Sequence, residues 1–411
     1  MRKILTDVGP IGWNIIIGTM FGRMATSMSM PFLAIYLTKF MNVTPAMTGA
    51  IVAVSSLVGV LASFLGGYLS DRFGRKRVLI LSIFAWAFVF AGFGFSKTVA
   101  AFFIMNSLNG LCRALFEPAS RALLSDITDP KNRLLIFNLR YFAINVGVTF
   151  GPLLGLKLGS ADSMATFFAA GFIYALYGVT LVLALKSYQE KAAAASNAIT
   201  FTEAAGVIKQ DKIFTMALLG LILAIIGFSQ FNSTLPQYFS SSDAFEDGVA
   251  MFTYLLTLNA IIVVILQYPI VTLSKRLPSV LSIGAGNLII SLSLLGFAFA
   301  KSIPVLIAVI LCFTIGEILM FSMTDIFIDD LADPDMKGTY FGAMGFSNLG
   351  NVIGPWFGGA LLGHFGAGQP LYLFGGLGVT AIVGVPLFLI VYIQLKKRKT
   401  SEFSHHIEVP R

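Results

Sequence analysis

Twelve apolar runs, each about as long as a helix needs to cross the roughly 30 Å hydrocarbon core of a bilayer, limit what this chain can become. They occupy residues 11–37, 46–70, 78–96, 99–124, 134–158, 163–185, 213–239, 249–273, 279–300, 303–328, 339–362 and 371–395. The runs lack the strict alternation of membrane strands, so helices are the expected spanning form. The remaining polar residues are too few to coat a soluble fold. Only 12% of residues are charged and 56% are hydrophobic, against roughly 25% and roughly 45–50% in soluble domains. A soluble enzyme, a disordered chain and a secreted disulfide scaffold are disfavoured on that ground. The formal charge of +8 does not point to nucleic acid here, because most of the basic residues lie in loops between apolar runs. Cys112 and Cys312 both sit within apolar runs, so neither a disulfide framework nor a zinc site is expected. Met1–Pro10 has a short basic start, but the run after it is too long for a cleaved signal and reads as a retained first span.

Lys and Arg set the orientation. With the N-terminus inside, 20 fall in inner segments, 4 in outer loops and 4 within spans. This bias predicts a multi-pass protein of the cell (inner) membrane with both termini cytoplasmic.

The longest polar stretch, Lys186–Lys212, separates six runs from six and reads as an inner linker. The two halves repeat each other. Asp129-Pro130 recurs as Asp333-Pro334 at an offset of 204, and Ser70-Asp71-Arg72 faces Ser274-Lys275-Arg276 at the same offset. Asn145–Gly155 recurs as Asn348–Gly358 at 203. The expected fold is therefore an all-α integral membrane protein, with twelve transmembrane helices in two pseudo-symmetric six-helix bundles. The expected boundaries are 1–185 for the N-terminal bundle, 186–212 for the linker, 213–395 for the C-terminal bundle and 396–411 for a cytoplasmic tail.

The first inner loop, Gly67–Leu79, reads G-Y-L-S-D-R-F-G-R-K-R-V-L. Gly67 permits close helix approach and Gly74 a tight turn. Asp71 can sit at the positive N-terminal end of a neighbouring helix. Arg72, Arg75, Lys76 and Arg77 hold the loop inside and can pair with acidic groups. This loop closely resembles the signature between the second and third helices of the major facilitator superfamily. The resemblance implies that Asp71 and Arg72 lock an inner gate in one state.

In the fifth run Gly147, Gly151, Gly155 and Gly159 lie four apart with Pro152 among them, and Gly350, Gly354, Gly358 and Pro355 answer them in the eleventh. Such small-residue stripes suit either a tight, hinged contact between bundles or plain helix packing. Ser55, Gly59, Ser63 and Gly67 form a third stripe. The fifth-run pattern resembles part of the signature of proton-driven antiporters in the superfamily. The family's fourth helix often carries an arginine four residues before a glycine. Here Asn106 precedes Gly110, and Arg113 is the candidate substitute.

An ionised side chain at the bilayer centre costs at least about 2.5–3.5 kcal/mol unless paired or wetted. Arg23, Arg113, Glu117, Arg121, Arg140, Glu317 and Asp325 all fall within runs. Glu117 has an arginine one turn away on either side and reads as a structural counter-ion. Arg140 is expected to hold Asp126, Asp129 or Glu117. Arg23 could meet an anionic substrate, pair with Glu117 or Glu317, or reach a water-filled cavity. The repeat maps Arg113 onto Glu317 and Arg121 onto Asp325, so equivalent positions carry opposite charge. Glu317 has no cation within one turn of its own helix and suits reversible protonation. It is the principal proton-coupling candidate, with Asp325 second. Asp325 also suits a gate or a solvated position, and Glu317 also suits a structural partner of Arg113 or Arg23. Met20, Met24, Phe228, Phe231, Met320 and Phe321 suit an adaptable apolar wall or ordinary packing. The three histidines, His364, His405 and His406, show no ligand spacing and no metal is expected.

The resemblance is to bacterial twelve-span drug/proton antiporters of the superfamily. It implies that the first, fourth, seventh and tenth helices line a substrate cavity. Arg23, Arg113, Glu117, Gln230, Asn232 and Glu317 would then lie near it. The implied function is export of amphipathic compounds in exchange for protons by alternating access. The alternative is a proton-coupled carrier of an organic anion, sugar or peptide, and a non-transporting membrane receptor is a third reading. The expected partners are a small-molecule substrate and membrane lipid, the protein is expected to be a monomer, and a proton gradient stands in place of any cofactor. No nucleotide loop, metal cluster or Ser/His/Asp set suggests an enzyme.

Overall fold

The structure is a computed structural model that describes residues 2–43, 45–158, 164–189, 201–242 and 248–407. Gly159, residues 190–200 of the expected linker and the tail end 408–411 lie outside the described residues.

The described residues are helical, with no strand among them. In chain order the helices are α1 Arg2–Lys39, α2 Pro45–Phe73, α3 Arg75–Phe95, α4 Val99–Ile127, α5 Arg133–Leu158, α6 Ala165–Ala184, α7 Phe201–Gln210 and α8 Lys212–Ser241. They continue with α9 Gly248–Ser274, α10 Ser279–Phe297, α11 Ile303–Leu331, α12 Lys337–Ala343, α13 Leu349–Phe365, α14 Pro370–Ile382 and α15 Gly384–Ile407. Ten described stretches are long and apolar enough to cross a membrane, from Ala50–Phe73 to Pro370–Arg398.

Local chemistry sets the ends. Gly9 takes a positive φ of 66° and interrupts α1 near its start. Gly74, at φ 92°, turns the chain between α2 and α3 in a backbone region that disfavours other residues. The Thr98 side chain accepts from the Ala101 N–H to cap α4, and Asp211 accepts from the Phe214 N–H to cap α8. The repeat is visible in geometry. Asp129 Oδ1 accepts from the Lys131 N–H at 2.9 Å, and Asp333 Oδ1 accepts from the Asp335 N–H at the same distance. Each aspartate opens a single 3-10 turn, and α5 or α12 follows directly.

The eleventh apolar run is divided. α12 ends at Ala343, residues Met344–Asn348 tighten into a 3-10 stretch, and α13 resumes for 17 residues. Four glycines between 338 and 350 remove the side-chain packing that would hold a continuous α-helix there.

The chain forms two compact units. The first comprises Met1–Ala204 with Ile328–Phe346, and the second Ala205–Phe327 with Ser347–Arg411. An aromatic stack between α3 and α6 fills the first. Trp86 and Phe90 lie 4.7 and 5.2 Å from the Tyr174 ring, and Phe93 lies 5.2 Å from Phe167. In the second, Phe231 stacks on Phe313 at 5.2 Å and Tyr238 meets Phe374 edge-on at 4.9 Å. Other large apolar side chains face outward, Phe88 and Trp356 each with 75% exposed. Such surfaces suit lipid.

Candidate functional site

Three arginines within the helices of the first unit converge on Glu117 of α4. Arg23 of α1 donates Nη2–H to Glu117 Oε1 at 2.6 Å. Arg140 of α5 donates to Oε2, and Arg121 lies 3.9 Å from the same oxygen. Arg140 is almost fully buried at 1% exposure. Three guanidinium groups on three helices thus share one carboxylate, which ties α1, α4 and α5 together. Beside this hub a cavity of about 10 Å³ is lined by Thr19, Arg23, Trp86, Glu117, Tyr174 and Tyr177, among others. That volume is near the lower limit for one water molecule. Arg113 lies one turn before Glu117, half-buried, with its Nη2 against the backbone of Gly59 in α2. Asn106 is buried and donates to the Ile51 carbonyl at 2.6 Å, so it braces α4 against α2.

A second cluster forms at the end of α2. The Asp71 carboxylate accepts from the Gly338 N–H at 3.0 Å, the Thr339 N–H at 2.6 Å and the Thr339 hydroxyl at 2.7 Å. It therefore sits on the exposed amides that open α12, where the helix dipole favours a negative charge. Arg75 is buried and joins Asp71, at 3.3 Å, to Asp126 of α4. Arg72 is exposed, donates to the Tyr68 hydroxyl and lies over the Tyr68 and Phe73 rings. Arg75 rather than Arg72 is the partner of Asp71. Gly67 makes room for the crossing, since a Cβ there would lie 3.0 Å from Gly342 Cα and collide with the Gly338 carbonyl.

Next to it lies a cluster that sequence reasoning did not single out. Asp329 of α11 accepts from the Ser125 hydroxyl and from Lys337 Nζ at 2.7 Å, and Arg133 Nη1 is 2.8 Å from its second oxygen. The Asp329 side chain is 1% exposed and that of Lys337 6%. Burial pushes the Lys337 ammonium below its ordinary pKa, and Asp329 opposes that shift. The signal for this cluster was present in the repeat. Ser125 and Asp329 are 204 residues apart, as are Arg133 and Lys337, so two repeat-related pairs meet one another.

The glycine stripes pack within each unit. A Cβ on Gly151 would lie 2.6 Å from the Met24 carbonyl oxygen, and one on Gly350 the same distance from that of Ile222. Gly354 lies against Ile226 and Ser229. The stripes therefore join α1 to α5 and α8 to α13, with Pro152 and Pro355 inside the second helix of each pair. Within each unit the missing side chains let the backbones approach there.

In the second unit, Glu317 of α11 is buried, and Asn259 of α9 donates to its Oε2 at 2.8 Å and to Thr314 Oγ1 at 2.9 Å. Asp325 is half-buried two turns on. Gln230 is fully buried and gives its amide to the carbonyls of Ile226 and Gly354 at 2.8 and 2.9 Å, while Asn232 is exposed. Gln230 thus serves the α8–α13 contact. Phe231 and Met320 are fully buried, and Phe228 meets Phe321 edge-on at 4.8 Å. His364 is exposed, and the side chains of His405 and His406 lie outside the described residues. Among the described residues no group of His, Cys, Asp and Glu has a metal-binding arrangement.

A helical membrane chain with an internal repeat, a capped inter-helix contact at Asp71 and buried ionisable groups fits the class of membrane transporters. The Major Facilitator Superfamily profile matches residues 15–348. The chain is similar to the MFS-type transporter YqjV of Bacillus subtilis, with 49% identity over 399 residues covering 97% of each chain. It is also similar to a Na(+), Li(+), K(+)/H(+) antiporter of Planococcus maritimus, with 27% identity covering 84% of this chain and 89% of that one. Among solved structures, the MFS transporter FucP in its outward conformation shares the fold at a TM-score of 0.73 and 15% identity, covering 92% of this chain and 98% of that one. This chain belongs to the major facilitator superfamily. It is a multi-pass membrane transporter and not an enzyme.

Proposed function

We propose that the chain exports amphipathic compounds in exchange for protons by alternating access. In this reading it is a monomer of the cell (inner) membrane with twelve spans in two six-helix bundles, residues 1–185 and 213–395, and both termini are cytoplasmic. The observation that carries the reading is the seat of Asp71 on α12. A carboxylate held by two backbone amides, one hydroxyl and Arg75 makes a non-covalent latch that can form in one state and break in another. Alternating access requires a reversible device of this kind.

Glu317 is the principal proton site and Asp325 the second. Asn259 orients the Glu317 carboxylate, and burial suits a group whose charge changes during the cycle. The cation/H(+) antiporter among the similar proteins supports exchange against an ion gradient. Arg113 favours a second reading, in which the solute is an organic anion. The decisive experiment uses purified protein in liposomes with imposed pH and sodium gradients and a screen of cationic dyes against organic anions. Flux of cationic dye driven by pH supports the first reading. Flux of anions alone supports the second. No flux of any solute under either gradient removes both.

A further inference from the structure

The helices of the second unit carry charge of one sign. Across residues 213–241, 248–274, 279–297, 303–327 and 349–395 the acidic residues are Glu317 and Asp325, and there is no lysine or arginine. An ionised carboxylate in a bilayer is costly unless a positive charge or water meets it. A positive charge that meets Glu317 therefore comes from outside those helices.

The surroundings of Glu317 are built from oxygen. Thr314 stands three residues before it, on the same face of α11. The Thr314 hydroxyl donates to the Ile310 carbonyl at 2.7 Å, so its proton is engaged and its lone pairs are left for another group. Asn259 of α9 meets both residues with a single atom, its Nδ2 lying 2.9 Å from Thr314 Oγ1 and 2.8 Å from Glu317 Oε2. The two oxygens thus converge on one point. Turning the Asn259 amide over withdraws the nitrogen and brings Oδ1 toward that point, which three oxygens then face. α11 is held firmly at this level, since a Cβ on Gly316 would lie 2.7 Å from the Gly286 carbonyl oxygen of α10. Thr314 is fully buried and Glu317 is 6% exposed, whereas Asn259 is half-buried and lets water complete a coordination shell. A bulky organic cation does not reach so enclosed a pair of oxygens, and a bare ion does.

We propose that Glu317, Asn259 and Thr314 bind a small alkali cation, sodium or lithium, in place of the proton on the Glu317 carboxyl. The O–H bond of the carboxylic acid breaks, the proton leaves to water, and the carboxylate keeps the electron pair and takes the cation. Hard cations favour carboxylate, carbonyl and water oxygens, and need no cluster of His or Cys. The inference rests on the reading of Glu317 as a group whose charge changes during the cycle, and it names the ion that competes with the proton there. α8, α9 and α10 pack against α11 through Phe231 on Phe313, Asn259 on Glu317 and Gly286 on Gly316. These three helices bring Tyr238, Tyr254 and Tyr268 and, after Lys212, no Asp, Glu, His, Lys or Arg. α11 itself adds Cys312, Asp325 and, at its end, Asp329 and Asp330. Competition between sodium and protons at this point is therefore assigned to Glu317.

The test measures equilibrium binding of radioactive sodium to purified full-length protein in phosphatidylcholine nanodiscs, at mildly alkaline and mildly acidic pH. Saturable binding is expected at alkaline pH, displaced by lithium and not by tetramethylammonium, and at least tenfold weaker at acidic pH. Glu317→Gln is expected to abolish it. Thr314→Val is expected to weaken it at least threefold, and Thr314→Ser, which restores the oxygen, to recover most of the loss. Size-exclusion profiles and melting temperatures establish that the variants are folded, and the Thr314 pair decides the matter where Glu317→Gln does not fold. Absence of saturable sodium binding, unchanged binding in Thr314→Val, equal affinity at both pH values, or displacement by tetramethylammonium as readily as by lithium overturns the inference. Dye flux driven by pH is measured separately in sodium-free liposomes. Flux there without sodium binding removes the cation site and leaves proton-driven export standing. Sodium binding without such flux removes the export and leaves the cation site.

Discussion

Ser125 and Asp329 occupy equivalent positions in the two sequence repeats, 204 residues apart, and the hydroxyl of the first donates to the carboxylate of the second. The neighbouring pair, Arg133 and Lys337, also repeat-related, both address the same carboxylate. Asp329 is the shared acceptor, and its removal strands two cations. Breaking a buried ion pair from one side costs about 3–5 kcal/mol, whereas losing one neutral hydrogen bond costs about 1 kcal/mol. Asp329→Asn is therefore expected to lower the melting temperature of the purified protein well below that of Ser125→Ala. Equal shifts for the two variants would remove Asp329 as the anchor of this cluster.

Asp71 and α12 give a prediction about accessibility. Ser70 is buried, with its hydroxyl on the Gly67 carbonyl at 2.8 Å. A cysteine at 70, in a chain with Cys112 and Cys312 replaced, is expected to react slowly with a soluble maleimide. Asp71→Asn takes the negative charge from the α12 amides and is expected to speed labelling severalfold. Unchanged labelling would mean that the carboxylate does not hold the contact.

Glu117 is the counter-ion for Arg23, Arg140 and Arg121. Glu117→Gln leaves three guanidinium groups without charge compensation from it and is expected to be the most destabilising of the single intramembrane acidic substitutions. The scale is again about 3–5 kcal/mol. Glu117→Asp, which keeps the charge, is expected to recover part of the loss. Thermal unfolding in detergent reads both, and a Glu117→Gln protein as stable as wild type would contradict the hub.

The glycine contacts separate packing from mere composition. Gly354→Val meets Ser229 and the Ile226 carbonyl, whereas a Cβ on Gly359 meets nothing within 4 Å. Overpacking of this kind costs about 1–3 kcal/mol. Gly354→Val is expected to reduce folded yield and melting temperature, and Gly359→Ala to leave both unchanged.

For Glu317 the expected outcome concerns coupling. Glu317→Gln should retain downhill exchange but lose accumulation against a gradient when only a pH difference is imposed. Continued uphill transport by this variant would remove Glu317 as the proton site.

Much of the architecture was legible in the chain. Apolar length marks where helices cross, and the Gly67–Leu79 loop announced both the turn at Gly74 and an aspartate placed at a helix N-terminus. The recurrence of Asp129-Pro130 at 333–334 foretold two matching capped turns. These features are local, set by hydropathy, by backbone φ or by a side chain reaching its own neighbours.

Which charge meets which was not legible. Sequence spacing places Arg113 and Arg121 one turn from Glu117, yet Arg23 and Arg140, on other helices, hold it at closer range and Arg113 is left to face elsewhere. Arg72 and Arg75 look alike in the loop, but only Arg75 turns inward. The grouping of residues 328–346 with the first unit was likewise invisible. Hydropathy and spacing along one helix are properties of the chain alone. The rotation of each helix about its axis, and the neighbour it then presents a side chain to, arise only when all the helices pack together.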